Sequence, residues 1–93
     1  MNTNFKYLIP ILRVARILDT LEVPFQFNNC YDGAQLKFDW CEGDVVCHEG
    51  SYGHTRGAVE TYQFPWDNGD VSVLSHSECA KKIIEYYKQT LDN

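Results

Sequence analysis

The spacing of apolar residues changes twice along the 93-residue chain, and this change constrains the fold more than any other feature. Between Tyr7 and Val23, apolar residues recur every three or four positions, which is typical of a helix with one buried face. From Phe25 to Leu74, short segments alternate between apolar and polar residues, as strands do. After Ser75 the helical spacing returns. The order predicts an α+β fold with a helix, several strands and a second helix.

Proline and capping residues set the expected helix bounds. The first helix is expected over about residues 9–21, because Pro10 suits a first turn, where a missing N–H breaks no hydrogen bond. Pro24 then excludes helical angles from the residue before it. Ser75 and Glu78 form a capping-box sequence at the start of the second helix. The predicted apolar stripe of that helix comprises Ala80, Ile83, Ile84, Tyr87 and Leu91.

Four or five short strands are expected between the helices. The candidate segments are 25–27, 35–40, 44–47, 58–64 and 71–74. Turn residues separate them at 28–29, 32–33, 42–43 and 67–70. Short turns between consecutive strands favour an antiparallel meander with both helices packed on one face. Residues 1–93 should form a single domain, because two cores in so short a chain would each be too small to fold alone.

The chain has the features of a cytoplasmic protein. The apolar run at residues 7–23 contains four charged residues, so it is unsuited to span a membrane. The start of the chain lacks the pattern of a signal peptide. The cysteines are therefore expected to be reduced thiols. They are Cys30, Cys41, Cys47 and Cys79.

The same thiols and three imidazoles raise the question of a metal site. The candidate ligands are Cys41, Cys47, His48, His54, His76 and Cys79. No Cys-x-x-Cys pair occurs, and the adjacent Cys47 and His48 would point to opposite faces of a strand. We therefore expect no metal and no cofactor. Cys47 should also be unreactive, because apolar surroundings raise the pKa of a thiol.

Negative charge is concentrated in the middle of the chain. Residues 32–78 contain nine acidic residues against Lys37 and Arg56, a balance of −7, whereas the two flanks together carry +2. This acidic middle repels a phosphate backbone and attracts basic surfaces, so direct binding of nucleic acid is disfavoured. A solvated acidic surface that only keeps the protein soluble would have the same composition. The predicted partner-binding residues are Asp39, Trp40, Glu42, Asp44, Trp66, Asp67 and Asp70.

A glycine-rich segment after the third predicted strand is a candidate functional loop. Its residues are His48, Gly50, Ser51, Tyr52 and Gly53. The glycines permit positive φ or a close backbone approach. His48 and Ser51 could act as base and nucleophile, although no obvious third group orients the histidine. Alternatively, His48 bonds to the loop backbone and the glycines serve the bend, or the loop contacts a ligand or partner.

Several short motifs carry a resemblance to a known family. They are Asp32-Gly33-x-Gln35, the segment from Asp44 to Gly53, Gly57-x-x-Glu60 and Ser75-x-x-Glu78. With them, the chain from Arg16 onward resembles small proteins encoded by phages and other mobile elements of Gram-positive bacteria. The H-x-G-S-Y-G loop is the most specific part. The resemblance implies a genomic setting rather than a mechanism, and Trp40, Pro65 and Trp66 depart from the family pattern.

Two classes of function follow from these features. The first is a non-catalytic protein that binds a host protein with a basic surface, through aromatic anchors ringed by acids. Its most specific form is an inhibitor of a nucleic-acid-binding defence nuclease, of the anti-CRISPR type. The second is a small hydrolase-like enzyme that uses His48, Ser51 and Tyr52. A replication or packaging accessory protein is a further alternative.

Overall fold

Two helices flank five strands in residues 3–92, which are the residues that the computed structural model describes. The helices are α1 (Phe5–Thr20) and α2 (His76–Leu91). The strands are β1 (Gln26–Cys30), β2 (Gly33–Lys37), β3 (Asp44–Cys47), β4 (Val59–Tyr62) and β5 (Val71–Leu74). The predicted α+β class and the predicted order of elements are confirmed.

The strands form one antiparallel sheet in which every strand pairs with its neighbours in sequence. Both helices lie on the same face, where they contact each other and the central strands. Because side chains alternate along a strand, Leu36, Val45 and Val59 point into a core shared with α1 and α2. The predicted meander with both helices on one face is therefore confirmed.

The opposite side of the sheet has no helix packed on it in the described part of the chain. We call this side the open face. Its side chains alternate with those of the core, as expected for an antiparallel sheet with one solvated side. They are Gln26, Asn28, Gln35, Lys37, Asp44, Val46, Glu60, Tyr62, Val71 and Val73, of which Val46 is buried.

The first helix begins four residues earlier than predicted. Asn4 caps it, because the Asn4 Oδ1 accepts a hydrogen bond from the N–H of Lys6 at 3.0 Å. Pro10 consequently lies inside the helix and not in its first turn, and its buried ring replaces the N–H that would bond to the Lys6 carbonyl. The predicted start near residue 9 is wrong, since the cap lies upstream of the proline.

The second helix begins where the capping sequence predicts. The Ser75 Oγ accepts a hydrogen bond from the N–H of Glu78 at 3.2 Å. Cys79, Ala80 and Ile83 are buried against the core. The predicted apolar stripe is wrong at its far end, because Leu91 is 65% exposed.

The first hairpin also differs from prediction. Asn28 and Asn29, expected in a turn, belong to β1 and pair with Gln35 and Ala34. Pairing with β2 outweighs their turn preference. The chain instead reverses at residues 31–32, where Tyr31 adopts a left-handed conformation with a φ of 53°.

Burial accounts for the state of the cysteines. All four are free thiols, and Cys47 and Cys79 are buried. Desolvation raises the pKa of Cys47 to about 11, an effect increased by the charge of Asp32, and it raises the pKa of Cys79 further. The prediction that Cys47 has a raised pKa is confirmed. Among residues 3–92, neither helix has the length and apolar character needed to cross a bilayer.

Candidate functional site

Carboxylates occupy the open face with little positive charge beside them. Asp44 lies on β3 next to Gln35 of β2, whose Nε2 donates a hydrogen bond to the Asp44 Oδ2 at 3.0 Å. Glu60 of β4 accepts a hydrogen bond at its Oε1 from the N–H of Tyr52 at 3.0 Å. Lys37 is the basic residue of this face. The arrangement presents negative charge on a surface held flat by strand pairing.

The pKa of Asp44 is raised from its ordinary value. Partial burial is the largest cause, and the negative charges of Glu60 and Asp67 add to it. The hydrogen bond from Gln35 and the charge of Lys37 act in the opposite direction but do not cancel it. Asp44 thus lacks full compensation for its charge, and a cation placed against the open face would stabilise its ionised form.

Further acids lie at the end of the open face where Asp44 begins β3. The Gln26 Nε2 donates a hydrogen bond to the Asp39 Oδ1 at 2.8 Å. Glu42 is exposed in the turn before Asp44, and Asp70 is exposed just before β5, whose Val71 pairs with Tyr62. The fold therefore brings Asp39, Glu42, Asp44 and Asp70 to one end of the sheet. Their partner-binding role stays a prediction.

The remaining predicted carboxylate has an internal role. Asp67 is only 4% exposed. Its Oδ1 accepts a hydrogen bond from the Thr61 hydroxyl at 2.8 Å, and its Oδ2 accepts one from the N–H of Phe64 at 3.1 Å. The turn at residues 67–70 was predicted, but Asp67 is not available at its surface for a partner, because both carboxylate oxygens hold this turn together.

The two tryptophans are packed against α2. Trp66 stacks on Phe64 with ring centres 4.4 Å apart, and its indole N–H donates to the Thr61 hydroxyl at 3.1 Å. Trp40 donates its indole N–H to the carbonyl of Pro24 at 2.9 Å and contacts Tyr87. Both rings are half-buried, so they serve the aromatic cluster under α2. The exposed aromatic residues beside the open face are instead Tyr62 and Tyr52, at 41% and 67%.

The loop after β3 is built around Ser51. Its hydroxyl accepts a hydrogen bond from the N–H of His48 at 3.0 Å and donates one to the carbonyl of His48 at 2.9 Å. Ser51 is 3% exposed. The His48 Nδ1 accepts from the N–H of Gly50 at 3.0 Å. The Ser51 hydroxyl therefore binds the backbone of His48 and not its imidazole, as in the alternative in which the loop is a structural unit.

Other residues fix this loop in place. Gly53 has a φ of 83°, and a Cβ there would come within 2.5 Å of a Val73 methyl group. A ring nitrogen of His54 lies 2.6 Å from the carbonyl oxygen of Ser51, and the His54 ring packs edge-on against Tyr7 of α1. Gly50, by contrast, does not have positive φ. Its hydrogen atoms allow the His48 ring to approach closely.

A shallow depression of about 340 Å³ lies where this loop meets the β1–β2 turn. It is lined by Tyr31, Asp32, His48, Glu49 and Gly50. The rings of Tyr31 and His48 meet edge to face with centres 4.9 Å apart. The sequence analysis singled out His48 and Gly50 but missed Tyr31, Asp32 and Glu49. The turn sequence Tyr31-Asp32-Gly33 was the feature of the sequence that could have pointed to these residues.

A metal centre finds no support in the geometry. Within residues 3–92, no three His, Cys, Asp and Glu side chains lie close enough together to hold a metal ion. The expectation that zinc plays no structural part stays a prediction. Elemental analysis of the purified protein would check it.

Comparison with known proteins returns no match. No family model fits the sequence, and neither the curated proteins nor the solved structures include a significant match. The resemblance to phage proteins and the genomic setting that it implies therefore stay predictions.

Proposed function

We propose that the protein is a non-catalytic binding protein that docks its open face on a basic surface of a partner protein. The observation that carries the proposal is the position of Asp44, partly buried and incompletely compensated, beside Glu60 on the open face, which no helix covers within residues 3–92. A lysine or arginine against this face would relieve that charge. Complementary charge of this kind speeds association and selects the partner.

Exposed tyrosines support the same proposal. Tyr62 lies between Asp44 and Val71 in the sheet register, and Tyr52 is held beside Glu60 through its backbone N–H. Tyrosine rings are enriched at binding hot spots because they bury a large area with few rotatable bonds. Carboxylates around such rings are an arrangement suited to a basic protein surface.

The most specific form of the proposal is an inhibitor of a nucleic-acid-binding enzyme. A groove that binds nucleic acid is lined by lysine and arginine to neutralise phosphates. An acidic sheet face competes for those side chains. A defence nuclease as the target suits the phage-type setting that the sequence resemblance implies. A replication or packaging accessory protein would dock in the same way and is distinguished by the identity of the partner.

Affinity capture with matched variants tests the proposal. The parent protein, a face variant (Asp44→Asn with Glu60→Gln) and a control (Asp19→Asn with Glu85→Gln) are each used to capture proteins from a lysate of a Gram-positive host. Each variant removes two negative charges, and the amides in the face variant can still accept the hydrogen bonds that Gln35 and Tyr52 donate. Asp19 and Glu85 are exposed on the helices.

The proposal requires a protein that the parent and the control capture equally and the face variant captures at least roughly fivefold less. Its affinity should fall between about 50 mM and 300 mM NaCl, because exposed charge pairs are screened over about 10 Å at 0.1 M. Equal capture by the face variant, or an affinity that does not change with salt concentration, contradicts the proposal. For the inhibitor form, the captured protein should be a nuclease that the parent inhibits.

A further inference from the structure

The depression at the β1–β2 turn has walls that are held rigidly. Asp32 accepts a hydrogen bond from the N–H of Asn4 at its carbonyl and from the N–H of Glu49 at its Oδ1, at 2.7 and 3.0 Å. These bonds join the start of α1, the hairpin turn and the loop after β3. His48 is held by its bond from Gly50. The depression is therefore preformed, as small binding sites usually are.

Its chemistry suits a cation. Asp32 and Glu49 contribute two carboxylates, and no lysine or arginine is among the described residues that line the depression. Within residues 3–92, no hydrogen bond or ion pair engages the Glu49 carboxylate. The Tyr31 ring stands beside these carboxylates and is 73% exposed. An aromatic face next to carboxylates attracts ammonium and guanidinium groups, and a planar guanidinium can both stack on the ring and bond to a carboxylate.

Tyr31 has a side chain that is largely exposed and lies outside the hydrophobic core. Its φ of 53° lies in the left-handed region, where residues other than glycine are strained. Its ring lies outside the core and makes an edge contact with the ring of His48. A glycine or asparagine would form this turn with less strain. The position therefore carries an exposed aromatic ring at a cost in stability, and the ring borders the acidic depression.

We propose that this depression receives an arginine side chain of the basic partner, with the guanidinium stacked on Tyr31 and bonded to the carboxylate of Glu49. We call it the Tyr31 socket, comprising Tyr31, Asp32, His48, Glu49 and Gly50. The inference rests on the proposed function, because the arginine belongs to the protein that the open face binds. The socket lies at the opposite end of the sheet from Asp39 and Asp44, so the two sites engage different parts of that partner.

The first experiment is a titration of isotope-labelled protein with N-acetyl-arginine amide, followed by NMR. Saturable changes in chemical shift should appear at Tyr31, His48 and the Gly50 N–H. The Kd should be on the order of millimolar for so small a ligand. N-acetyl-citrulline amide is the matched control, since it has nearly the same shape without the charge. It should give no saturable shift. No response to the arginine probe, or an equal response to citrulline, overturns the socket.

Variants locate the binding. Tyr31→Asn tolerates the left-handed turn, and Glu49→Gln removes one charge; each should weaken the arginine probe at least roughly fivefold. Asp19→Asn on α1 should leave the affinity unchanged. A similar loss in the Asp19 variant would mean general attraction to an acidic protein and would overturn the socket. Spectral dispersion and melting temperature confirm that each variant is folded.

The captured partner separates the socket from the proposed function. Tyr31→Asn and Glu49→Gln should each lower the affinity for that partner. If they bind the probe poorly but the partner normally, the socket holds a free guanidinium compound and its assignment to the partner is wrong, while the open-face proposal stands. If the open-face variant captures normally but the arginine titration succeeds, the proposed function fails and the socket as a cation site survives.

Discussion

Two turns of the sheet each place an aromatic residue before an aspartate that accepts internal hydrogen bonds, and they use the aromatic ring in opposite ways. In the β4–β5 connection, Trp66 stacks on Phe64 and both carboxylate oxygens of Asp67 accept internal hydrogen bonds. In the β1–β2 turn, Asp32 also accepts internal hydrogen bonds, but the Tyr31 ring is exposed near Glu49, whose carboxylate has no hydrogen-bond partner within residues 3–92. Residue types alone do not separate a structural turn from a binding site. The distinction lies in whether the aromatic ring and the carboxylate nearest to it are engaged within the protein.

The largest expected effect tests the structural turn. Asp67→Ala should destabilise the protein by about 2–4 kcal/mol, because the Thr61 hydroxyl and the Phe64 N–H lose their acceptors in a buried place. Asp70→Ala, three residues away and exposed, should cost less than about 1 kcal/mol. Urea unfolding measures both. Equal stabilities would mean that Asp67 contributes no more than a surface acid does.

The two aromatic residues give the next largest contrast. Trp66→Ala should cost about 2–3 kcal/mol, since a half-buried ring loses its stacking on Phe64 and the indole hydrogen bond to Thr61. Tyr31→Asn should stay within about 1 kcal/mol of the parent, because relief of backbone strain offsets the lost contact with His48. Thermal melting compares the pair. A large loss at Tyr31 would show that its ring stabilises the fold.

The rigidity of the loop beside the Tyr31 socket can be tested at its glycines. Gly53→Val should cost roughly 1–3 kcal/mol, because φ is positive and the new side chain meets Val73. Gly57 also has positive φ, at 72°, but an added Cβ would meet nothing within 4 Å. Gly57→Ala should therefore cost only about 1 kcal/mol from backbone strain. Chemical denaturation distinguishes the two, and a Gly53 variant as stable as the Gly57 variant would exclude the steric contribution.

The smallest effect concerns Asp44 and depends on pH. Because burial raises its pKa in the folded state, its contribution to stability is complete below the unfolded pKa of about 3.9 and declines as pH rises through the folded value. The free energy of unfolding of Asp44→Asn should therefore exceed that of the parent by roughly 0.5 kcal/mol at pH 7. The difference is modest because the group is partly exposed to solvent. The difference should vanish below about pH 3, where the carboxyl is protonated in both the folded and the unfolded state. A variant less stable than the parent at pH 7 contradicts the prediction.

Periodicity predicted the architecture well because the core is built from regular alternation. β3 and β5 have the predicted bounds, since their apolar residues are flanked by strong turns. The first hairpin was misplaced because Asn28 and Asn29 follow their pairing with β2 and not their local preference. The same limit applies to the site. Negative charge in the middle of the chain was visible, but nothing in the sequence distinguishes buried Asp67 from exposed Asp70.

The helix layer joins distant parts of the chain, and this affects how the protein folds during synthesis. Neighbouring strands pair through short turns, so the sheet can form soon after β5 leaves the ribosome. The helix α1 can cover the apolar side of β2 and β3, but the core stays incomplete until α2 emerges, because Ala80 and Ile83 belong to it. A nascent chain that stalls within α2 thus has an incomplete core, and its exposed apolar side chains make it prone to aggregation. Release of α2 supplies the residues that complete the core, and chains that stall before it should expose apolar surface that chaperones bind.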